Sequence, residues 1–276
     1  MRGSPDRRLR LLTLILTRDC NLNCRYCFQT RRGVYMDGGL AIRAVDYCLE
    51  QSGQKVQIDF YGGEPLLAFP LMRRVMEHSW EKARRMGKRI CYGFTTNGTL
   101  LGRDLFEFLS RFRGRLNVSL DGPPEVHSGG RGPLSWPDVG SIGEFARENS
   151  RWEVRINTVV TPQNVKHLSR SLRFLYDLNL GRIHLSYQYE ADWEEAHYQV
   201  LCREFDRLAG WVIEVYGRRR KMALDALKRT IPGRRPFACN AGRDMFAVTP
   251  DGSVYGCFSL APLAQKAAEL NGRLRL

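Results

Sequence analysis

The feature that most constrains the fold is a regular alternation of strand-like and helix-like segments along most of the chain. Strand-like segments at 9–16, 55–61, 89–95, 115–120, 152–160 and 182–189 alternate with helix-like segments at 37–51, 70–86, 103–112, 139–149, 164–178 and 193–216. Such alternation predicts a parallel sheet with right-handed helical crossovers. Six units are too few for a closed eight-stranded barrel. The sequence therefore predicts an α/β fold, a partial (β/α)6 barrel.

Polar and glycine-rich segments follow the strands of this predicted sheet. They are the cysteine-rich loop after the first strand and the segments 62–65, 95–98, 119–122, 157–158 and 187–190. The carboxyl ends of parallel strands share one edge, where the active sites of such sheets lie. We therefore expect these segments to form one site. The glycine- and proline-rich stretch at 122–137 predicts a loop, with Asp121 before it as a turn residue.

Three cysteines lie within eight residues, Cys20, Cys24 and Cys27, in the spacing C-x3-C-x2-C. Three thiolates on one compact loop can face a single centre, whereas closed structural zinc and [4Fe–4S] sites use four protein ligands. No histidine lies in the loop, which favours an iron–sulfur cluster with one iron open to a small molecule. Tyr26 either packs in the core or flanks the bound ligand.

The segment Gly62-Gly63-Glu64-Pro65 ends the second strand and is interpreted either as a turn or as part of a ligand site. Two glycines allow a ligand to approach the backbone closely. Glu64 would add an anion at the rim of the sheet, which suits a ligand ammonium group.

Composition limits the classes of protein to consider. The chain has 276 residues, 43% of them hydrophobic, with no apolar run of about eighteen residues and no signal peptide, so we expect a soluble cytoplasmic protein without a membrane partner.

The eight cysteines indicate metal binding in a reducing compartment. Cys48, Cys91 and Cys202 are expected to be buried, inert thiols. The net charge of +14 favours acidic partners, but nucleic acid is disfavoured because no RNA-binding or zinc-finger pattern is present.

Together, these motifs resemble those of the radical S-adenosylmethionine (SAM) superfamily. The resemblance rests on the cysteine motif, on Gly62-Gly63-Glu64-Pro65 and on the segments 96–98, 119–127 and 155–159. It implies that a [4Fe–4S] cluster is held by Cys20, Cys24 and Cys27, and that its open iron chelates SAM. The cofactor-binding residues that it implies are Tyr26, Gly62, Gly63, Glu64, Pro65, Asn97, Ser119 and Asn157.

The resemblance also implies a function. One-electron reduction would cleave SAM to methionine and a 5′-deoxyadenosyl radical, which abstracts hydrogen from a substrate, so we expect an enzyme of oxidoreductase type. The electron would come from a protein such as flavodoxin or ferredoxin. Two alternatives stay open: the same chemistry on RNA, and a non-catalytic metal-binding module with a closed fourth ligand.

Segment 119–127 resembles the branch of the superfamily that carries a C-terminal SPASM or twitch extension. Here the extension opens with Cys239 and Cys257, on a predicted β-hairpin with its turn at Asp251-Gly252. In that branch the two cysteines begin an auxiliary iron–sulfur site. No cysteine follows Cys257, so either the chain is truncated, the auxiliary site is incomplete, or outside ligands contribute.

That branch acts mostly on peptides and proteins, so the resemblance implies a peptide or protein substrate. Its members include sulfatase maturases, which have an aspartate directly after the second of these cysteines, where this chain has Phe258. The predicted domains are a radical SAM core at 8–217, a linker at 218–238 and a partial SPASM/twitch-like extension at 239–276.

Overall fold

Strands and helices alternate in the computed structural model as the sequence predicts. The structure describes residues 8–29, 33–132, 136–180, 182–217 and 239–262. The strands in these ranges are β1 (Leu9–Thr17), β2 (Ser52–Gly62), β3 (Arg89–Thr96), β4 (Gly114–Ser119), β5 (Trp152–Val160), β6 (Arg182–Tyr187), β7 (Met245–Val248) and β8 (Val254–Tyr255). The helices are α1 (Gly38–Gln51), α2 (Phe69–Arg85), α3 (Arg103–Ser110), α4 (Pro124–Gly130), α5 (Trp136–Glu148), α6 (Leu168–Asp177) and α7 (Glu195–Gly217). None of the helices in these ranges has the length and apolar character needed to span a bilayer.

The sheet has the strand order β6-β5-β4-β3-β2-β1-β7-β8. Strands β1 to β6 are parallel and lie side by side in chain order. Strand β7 is parallel to β1, from the pair Leu11 and Met245 to the pair Leu14 and Val248, and β8 runs antiparallel to β7. The predicted α/β fold, a partial barrel of parallel strands with a C-terminal hairpin, is confirmed. The hairpin does not stand apart, because its first strand extends the same sheet.

Helix α4 lies where the sequence predicts a loop, so that prediction is wrong for Pro124–Gly130. Proline fits the first turn of a helix, since the N–H that it lacks would have no partner there. Two glycines, Gly129 and Gly130, then close the helix after about two turns. A second difference precedes α6, where a 3-10 turn at Val165–His167 forms the start of the predicted helix.

Helix α1 shows how the sequence sets one of these elements. The side chain of Asp37 caps it by accepting a hydrogen bond from the Leu40 backbone N–H at 2.9 Å. Its buried residues follow the helical period and pack on the sheet: Ala41, Val45, Cys48 and Leu49. The hydrophobic face of the helix therefore covers the outer face of the strands.

The two faces of the sheet differ, and β5 makes the difference plain. Its residues alternate strictly in burial, and those in the core are Trp152, Val154, Ile156 and Val160. Glu153, Arg155 and Asn157 face the other way and are half-buried. Parallel strands covered on both faces normally carry continuous apolar runs. The inner, concave face of this sheet is therefore polar.

The cysteines outside the two cysteine motifs differ in exposure. Cys48 is buried in α1, and burial raises the pKa of its thiol to about 12. Cys91 is half-buried in β3, and Cys202 is exposed on α7. The prediction of a buried thiol is therefore confirmed for Cys48 and wrong for Cys202.

The predicted extension is described only in part. The segment 239–262 contains β7 and β8, with the chain turning between them at Asp251 and Gly252. The predicted linker at 218–238 and the segment 263–276 lie outside the described residues. The division into three domains therefore stays a prediction.

We expect Leu116→Ala to lower the free energy of unfolding by about 2–5 kcal/mol, because truncating a side chain buried in the core leaves a cavity. Leu116 is fully buried on β4. The matched control is Ile213→Ala on α7, where the side chain is 73% exposed and the loss should be below about 1 kcal/mol. Chemical denaturation monitored by circular dichroism measures both values, and equal losses would contradict this assignment of the core.

Candidate active site

The candidate site is built from segments that follow consecutive strands. The cysteine loop follows β1, Gly63 and Glu64 follow β2, and Asn97 follows β3. Ser119 ends β4, and Asn157 lies late in β5. Since these strands are parallel and adjacent, the segments meet at one edge of the sheet.

The backbone of the cysteine loop starts in direct contact with the end of β2. The Gly63 N–H donates to the Thr17 carbonyl at 2.9 Å, and the Glu64 N–H donates to the Asp19 carbonyl at 2.8 Å. These bonds continue the pairing of β1 with β2 beyond its last partners, Thr17 and Gly62. The start of the loop is thereby fixed as an extension of the sheet.

This contact explains both glycines. Gly62 has a φ of +150°, and a Cβ there would lie 2.2 Å from the Thr17 carbonyl oxygen. A Cβ on Gly63 would lie 2.0 Å from the Asp19 carbonyl oxygen. Neither position has room for a side chain. The backbone that approaches these glycines is the chain's own. Their contact with a bound ligand stays a prediction.

Glu64 joins the ends of β2 and β3 below the surface. Its Oε1 accepts from the Leu66 N–H at 3.1 Å and the Thr96 hydroxyl at 2.9 Å, and its Oε2 accepts from the Asn97 N–H at 2.7 Å. Burial raises the pKa of Glu64 to about 7, although these hydrogen bonds oppose the shift. The carboxylate is fully buried, so the expectation of an anion at the rim is corrected. Its contact with a bound ligand stays a prediction.

Asn97 contacts the cysteine loop from the end of β3. Its Nδ2 donates to the Asn21 Oδ1 at 2.8 Å and lies 3.8 Å from the Cys20 sulfur. Its Oδ1 accepts from the Thr99 N–H at 3.0 Å. The side chain is thus held in one orientation beside the first cysteine.

Tyr26 anchors the other side of the loop to the end of β4. Its hydroxyl donates a short hydrogen bond to the Asp121 carboxylate, which also accepts from Arg131 Nε at 3.0 Å and from Arg131 Nη2 at 3.1 Å. The Val159 N–H of β5 donates to the same carboxylate at 3.0 Å. Burial and the neighbouring carboxylate raise the pKa of Tyr26, so the phenol stays protonated as a donor. Asp121 is therefore the centre of a buried network, not only a turn residue.

Arg131 is the residue that the sequence analysis misses. Its guanidinium lies 5.2 Å from the centre of the Tyr26 ring, and its backbone carbonyl lies 3.9 Å from the Cys24 sulfur. The Arg25 N–H also donates to the Gly130 carbonyl at 2.9 Å. The sequence does carry a signal for this pair, because Asp121 follows a strand and Arg131 comes after one short helix. Opposite charges at the two ends of a short helix can form an ion pair.

The three cysteine thiols lie near one another and differ in exposure. Cys20 and Cys24 are half-buried and Cys27 is exposed. Burial raises the pKa of Cys20 and Cys24, and the negative charges that neighbouring thiolates would carry raise both further. Within the described residues, no three His, Cys, Asp or Glu side chains are arranged to bind a single metal ion. Three thiol donors on one short loop, one of them exposed, have the chemistry that an iron–sulfur cluster needs.

The remaining predicted cofactor residues lie at the same edge. Ser119 and Asn157 are direct register partners on β4 and β5. Ser119 is buried, and Asn157 lines a cavity of about 230 Å³ on the concave face. Pro65 is buried at the start of a 3-10 turn at Pro65–Ala68. These residues therefore lie along the same edge of the sheet as the cysteine loop, and their roles in cofactor binding stay a prediction.

A larger cavity of about 630 Å³ adjoins the cysteine loop. Tyr26 and Gly130 form the wall next to the loop, and Asn164 and Gln188 lie on the side of β5 and β6. Its volume is in the range that small-molecule ligands occupy in proteins.

Cys239 and Cys257 lie on neighbouring segments of the C-terminal hairpin. The Gly242 N–H donates to the Gly256 carbonyl at 3.1 Å, which brings the two segments together. Cys239 is exposed and Cys257 is half-buried. The residue after Cys257 is Phe258, whose ring lies 4.3 Å from that of Tyr61 on β2. The auxiliary metal site stays a prediction.

Comparisons with known proteins agree with this geometry. Residues 14–175, more than half of the chain, match the family model described as the radical SAM superfamily. The chain is similar to an uncharacterized protein, MJ0907, from Methanocaldococcus jannaschii, at 28% identity over 92% of this chain and 86% of that protein. It is also similar to the cysteine-type anaerobic sulfatase-maturating enzyme of Clostridium perfringens, at 26% identity over 90% of this chain and 74% of the enzyme.

A solved structure shares the fold. It is that of native anSMEcpe with bound AdoMet and the Cp18Cys peptide, with a TM-score of 0.75 and 24% identity. The match covers 91% of this chain and 74% of the other. At this identity the likeness establishes the common architecture.

We expect Gly63→Ala to reduce the iron bound after anaerobic reconstitution by about half or more, because a Cβ would displace the start of the cysteine loop. Gly102→Ala is the matched control, since a Cβ there meets nothing within 4 Å. Iron analysis of both purified variants makes the comparison. Full iron content in Gly63→Ala would contradict the role given to the backbone contact.

We expect Asp121→Ala to lower the free energy of unfolding by about 3–5 kcal/mol, because it leaves the buried Arg131 charge without its partner. Glu125→Ala removes the carboxylate of a pair with Arg170 in which both side chains are more than half exposed, and should cost at most about 1 kcal/mol. Denaturant titration of the two variants measures the difference. Equal effects would mean that the Asp121–Arg131 pair does not hold this edge of the sheet together.

Proposed function

This chain belongs to the radical SAM superfamily, and we propose on that premise that it modifies a peptide or protein substrate. Cys20, Cys24 and Cys27 would hold the [4Fe–4S] cluster of the superfamily. When bound, such a cluster would supply the electron for reductive cleavage of SAM, chemistry that would provide a radical able to take a hydrogen atom from the substrate. The observation that carries the proposal is a loop with three free cysteine thiols that is fixed to three strand ends.

The residues around the loop would have two kinds of role. Tyr26 and Glu64 hold the loop and the strand ends in place, each through hydrogen bonds inside the protein. Asn97, Ser119 and Asn157 carry polar groups at the edge where SAM would lie. Their side chains would orient SAM, and the backbone of 62–65 would form the adjoining wall. Positioning of this kind is what the protein contributes to a cofactor's chemistry.

A peptide or protein substrate is supported by a relative whose name states its function. That Clostridium perfringens relative is named as a sulfatase-maturating enzyme, which acts on a protein. In this chain, however, Phe258 occupies the position where sulfatase maturases have aspartate, and its ring packs on Tyr61 at 4.3 Å. Phe258 also lines the concave cavity, so that position offers no carboxylate to accept a proton. We therefore propose peptide maturation ahead of a sulfatase-maturase-like reaction, the other form of the same function.

The partners and setting follow from the cofactor. A one-electron donor such as flavodoxin or ferredoxin would supply the electron. All eight cysteines, which lie in the described residues, are free thiols, as a reducing cytoplasmic setting favours. Cys239 and Cys257 would contribute to an auxiliary cluster only with further ligands, because two thiolates do not complete a four-cysteine site.

The other two functions considered have less support. RNA as the substrate rests on the net charge of +14 alone. A non-catalytic module requires a closed fourth ligand, and it gives no reason for the polar strand ends that surround the cysteine loop.

The test is anaerobic iron and sulfide analysis, followed by dithionite, SAM and an assay for 5′-deoxyadenosine. We expect about four irons per chain and 5′-deoxyadenosine formation, both lost in Cys24→Ala. Cys202→Ala is the control, because Cys202 is an exposed thiol on α7, and it should retain both. About eight irons would indicate that an auxiliary cluster also forms. A single zinc without 5′-deoxyadenosine would refute the proposal.

A further inference from the structure

The concave face of the sheet carries three arginines on three neighbouring strands. Arg115 of β4, Arg155 of β5 and Arg182 of β6 all point their guanidinium groups at one carboxylate, that of Glu153. The distances to Glu153 are 3.5 Å from Arg115 Nε, 2.9 Å from Arg155 Nη2 and 3.2 Å from Arg182 Nε. The strand register sets this cluster, because Arg115 is paired with Glu153 and Arg155 with Arg182.

This cluster has an excess of positive charge. Burial raises the pKa of Glu153, but the hydrogen bond from Arg155 and the three guanidinium charges outweigh it and lower the pKa overall. Glu153 is therefore ionised near neutral pH, and its negative charge neutralises one of the three arginine charges. A second carboxyl, Asp59 of β2, faces Arg115, and burial raises its pKa. Even with Asp59 ionised, the three arginines exceed the two carboxylates by one charge.

Arg155 also has a donor without an acceptor. Its Nε is buried and has no hydrogen-bond partner within the described residues. The same side chain lines the cavity of about 230 Å³ on the concave face. Its neighbours in the cavity wall include Asn117, Asn157, His184, Tyr61, Phe258 and the carboxyl group of Asp59, whose pKa is raised by burial. Buried polar donors are rarely left without partners in folded proteins, so this donor points to a ligand.

The cavity has the size and position of a substrate subsite. A volume of about 230 Å³ corresponds to roughly seven or eight waters at about 30 Å³ each, which is room for one side chain or chain end. Arg155 lies two residues, about 7 Å along the strand, from Asn157 at the rim. A group held by Arg155 would therefore lie beneath the edge of the sheet that carries the cysteine loop.

We infer that this cavity binds a carboxylate of the substrate through Arg155, with Arg115 and Arg182 supplying the surrounding positive charge. The carboxylate is that of an aspartate or glutamate side chain or of a peptide C-terminus. A guanidinium group suits this ligand because its fork of N–H donors matches a carboxylate. One carboxylate would neutralise the excess charge of the cluster. The inference rests on the proposed peptide or protein substrate, whose class it narrows.

Binding of small probes to the full chain with its reconstituted cluster tests the inference. The probes are N-acetylglutamate N-methylamide, its glutamine counterpart and N-acetylalanine, measured by saturation-transfer NMR at constant ionic strength. We expect the glutamate probe, N-acetylalanine or both to bind about tenfold more tightly than the glutamine probe. The tighter probe identifies the source of the carboxylate. Equal affinity for all three probes overturns the inference.

Substitutions assign the binding to the cluster. Arg155→Gln should abolish the preference for charge, whereas Arg85→Gln, at a side chain 66% exposed on α2, should keep it. Glu153→Gln should strengthen binding of the charged probe several-fold, because it removes the internal competitor for the arginines. If Arg155→Gln does not fold, the stronger binding expected of Glu153→Gln still tests the inference. Unchanged or weaker binding in Glu153→Gln overturns the inference.

The experiments distinguish a failure of the inference from a failure of the proposed function. Formation of 5′-deoxyadenosine without substrate should persist in Arg155→Gln, since this residue lies below the cofactor edge. A wild-type protein that binds the charged probe but forms no 5′-deoxyadenosine would refute the proposed function alone. A protein that forms 5′-deoxyadenosine and binds charged and neutral probes equally would refute only the carboxylate site.

Discussion

The site depends on a close backbone contact between two strand ends. The hydrogen bonds from Gly63 to Thr17 and from Glu64 to Asp19 turn the start of the cysteine loop into an extension of the sheet. This contact exists only because Gly62 and Gly63 have no side chain in the path of the facing carbonyl oxygens. The position of Cys20 follows from it, since this residue comes directly after Asp19. Loss of the contact would release the loop from the strand edge that surrounds it.

Two further anchors complete the arrangement, and both use buried carboxyl groups. Glu64 accepts hydrogen bonds from the end of β3, and Asp121 joins Tyr26 to Arg131 at the end of β4. Several residues that a sequence motif assigns to ligand binding thus hold the loop in shape. Rigid support of this kind keeps reacting groups in the geometry that a reaction needs.

The sequence predicts some levels of this structure better than others. The alternation of strands and helices predicts the parallel sheet, because apolar periodicity is a local signal that can be read from a single sequence. The strand β7 beside β1 and the pair Asp121–Arg131 depend on contacts between distant segments, which local patterns do not encode. Helix α4 was missed because Pro124 and the following glycines favour a loop locally. The polar concave face has a local pattern of the same kind, because Glu153, Arg155 and Asn157 alternate with buried residues along β5.

The central claim is that Cys20, Cys24 and Cys27 would hold a [4Fe–4S] cluster with one iron left to bind SAM. The most direct measurement is electron-nuclear double resonance on the anaerobically reduced protein with SAM labelled with ¹⁵N in its amino group. We expect a ¹⁵N coupling to the reduced cluster, because the amino group would bind the open iron. A reduced cluster whose spectrum shows no coupling while SAM is bound would contradict the claim.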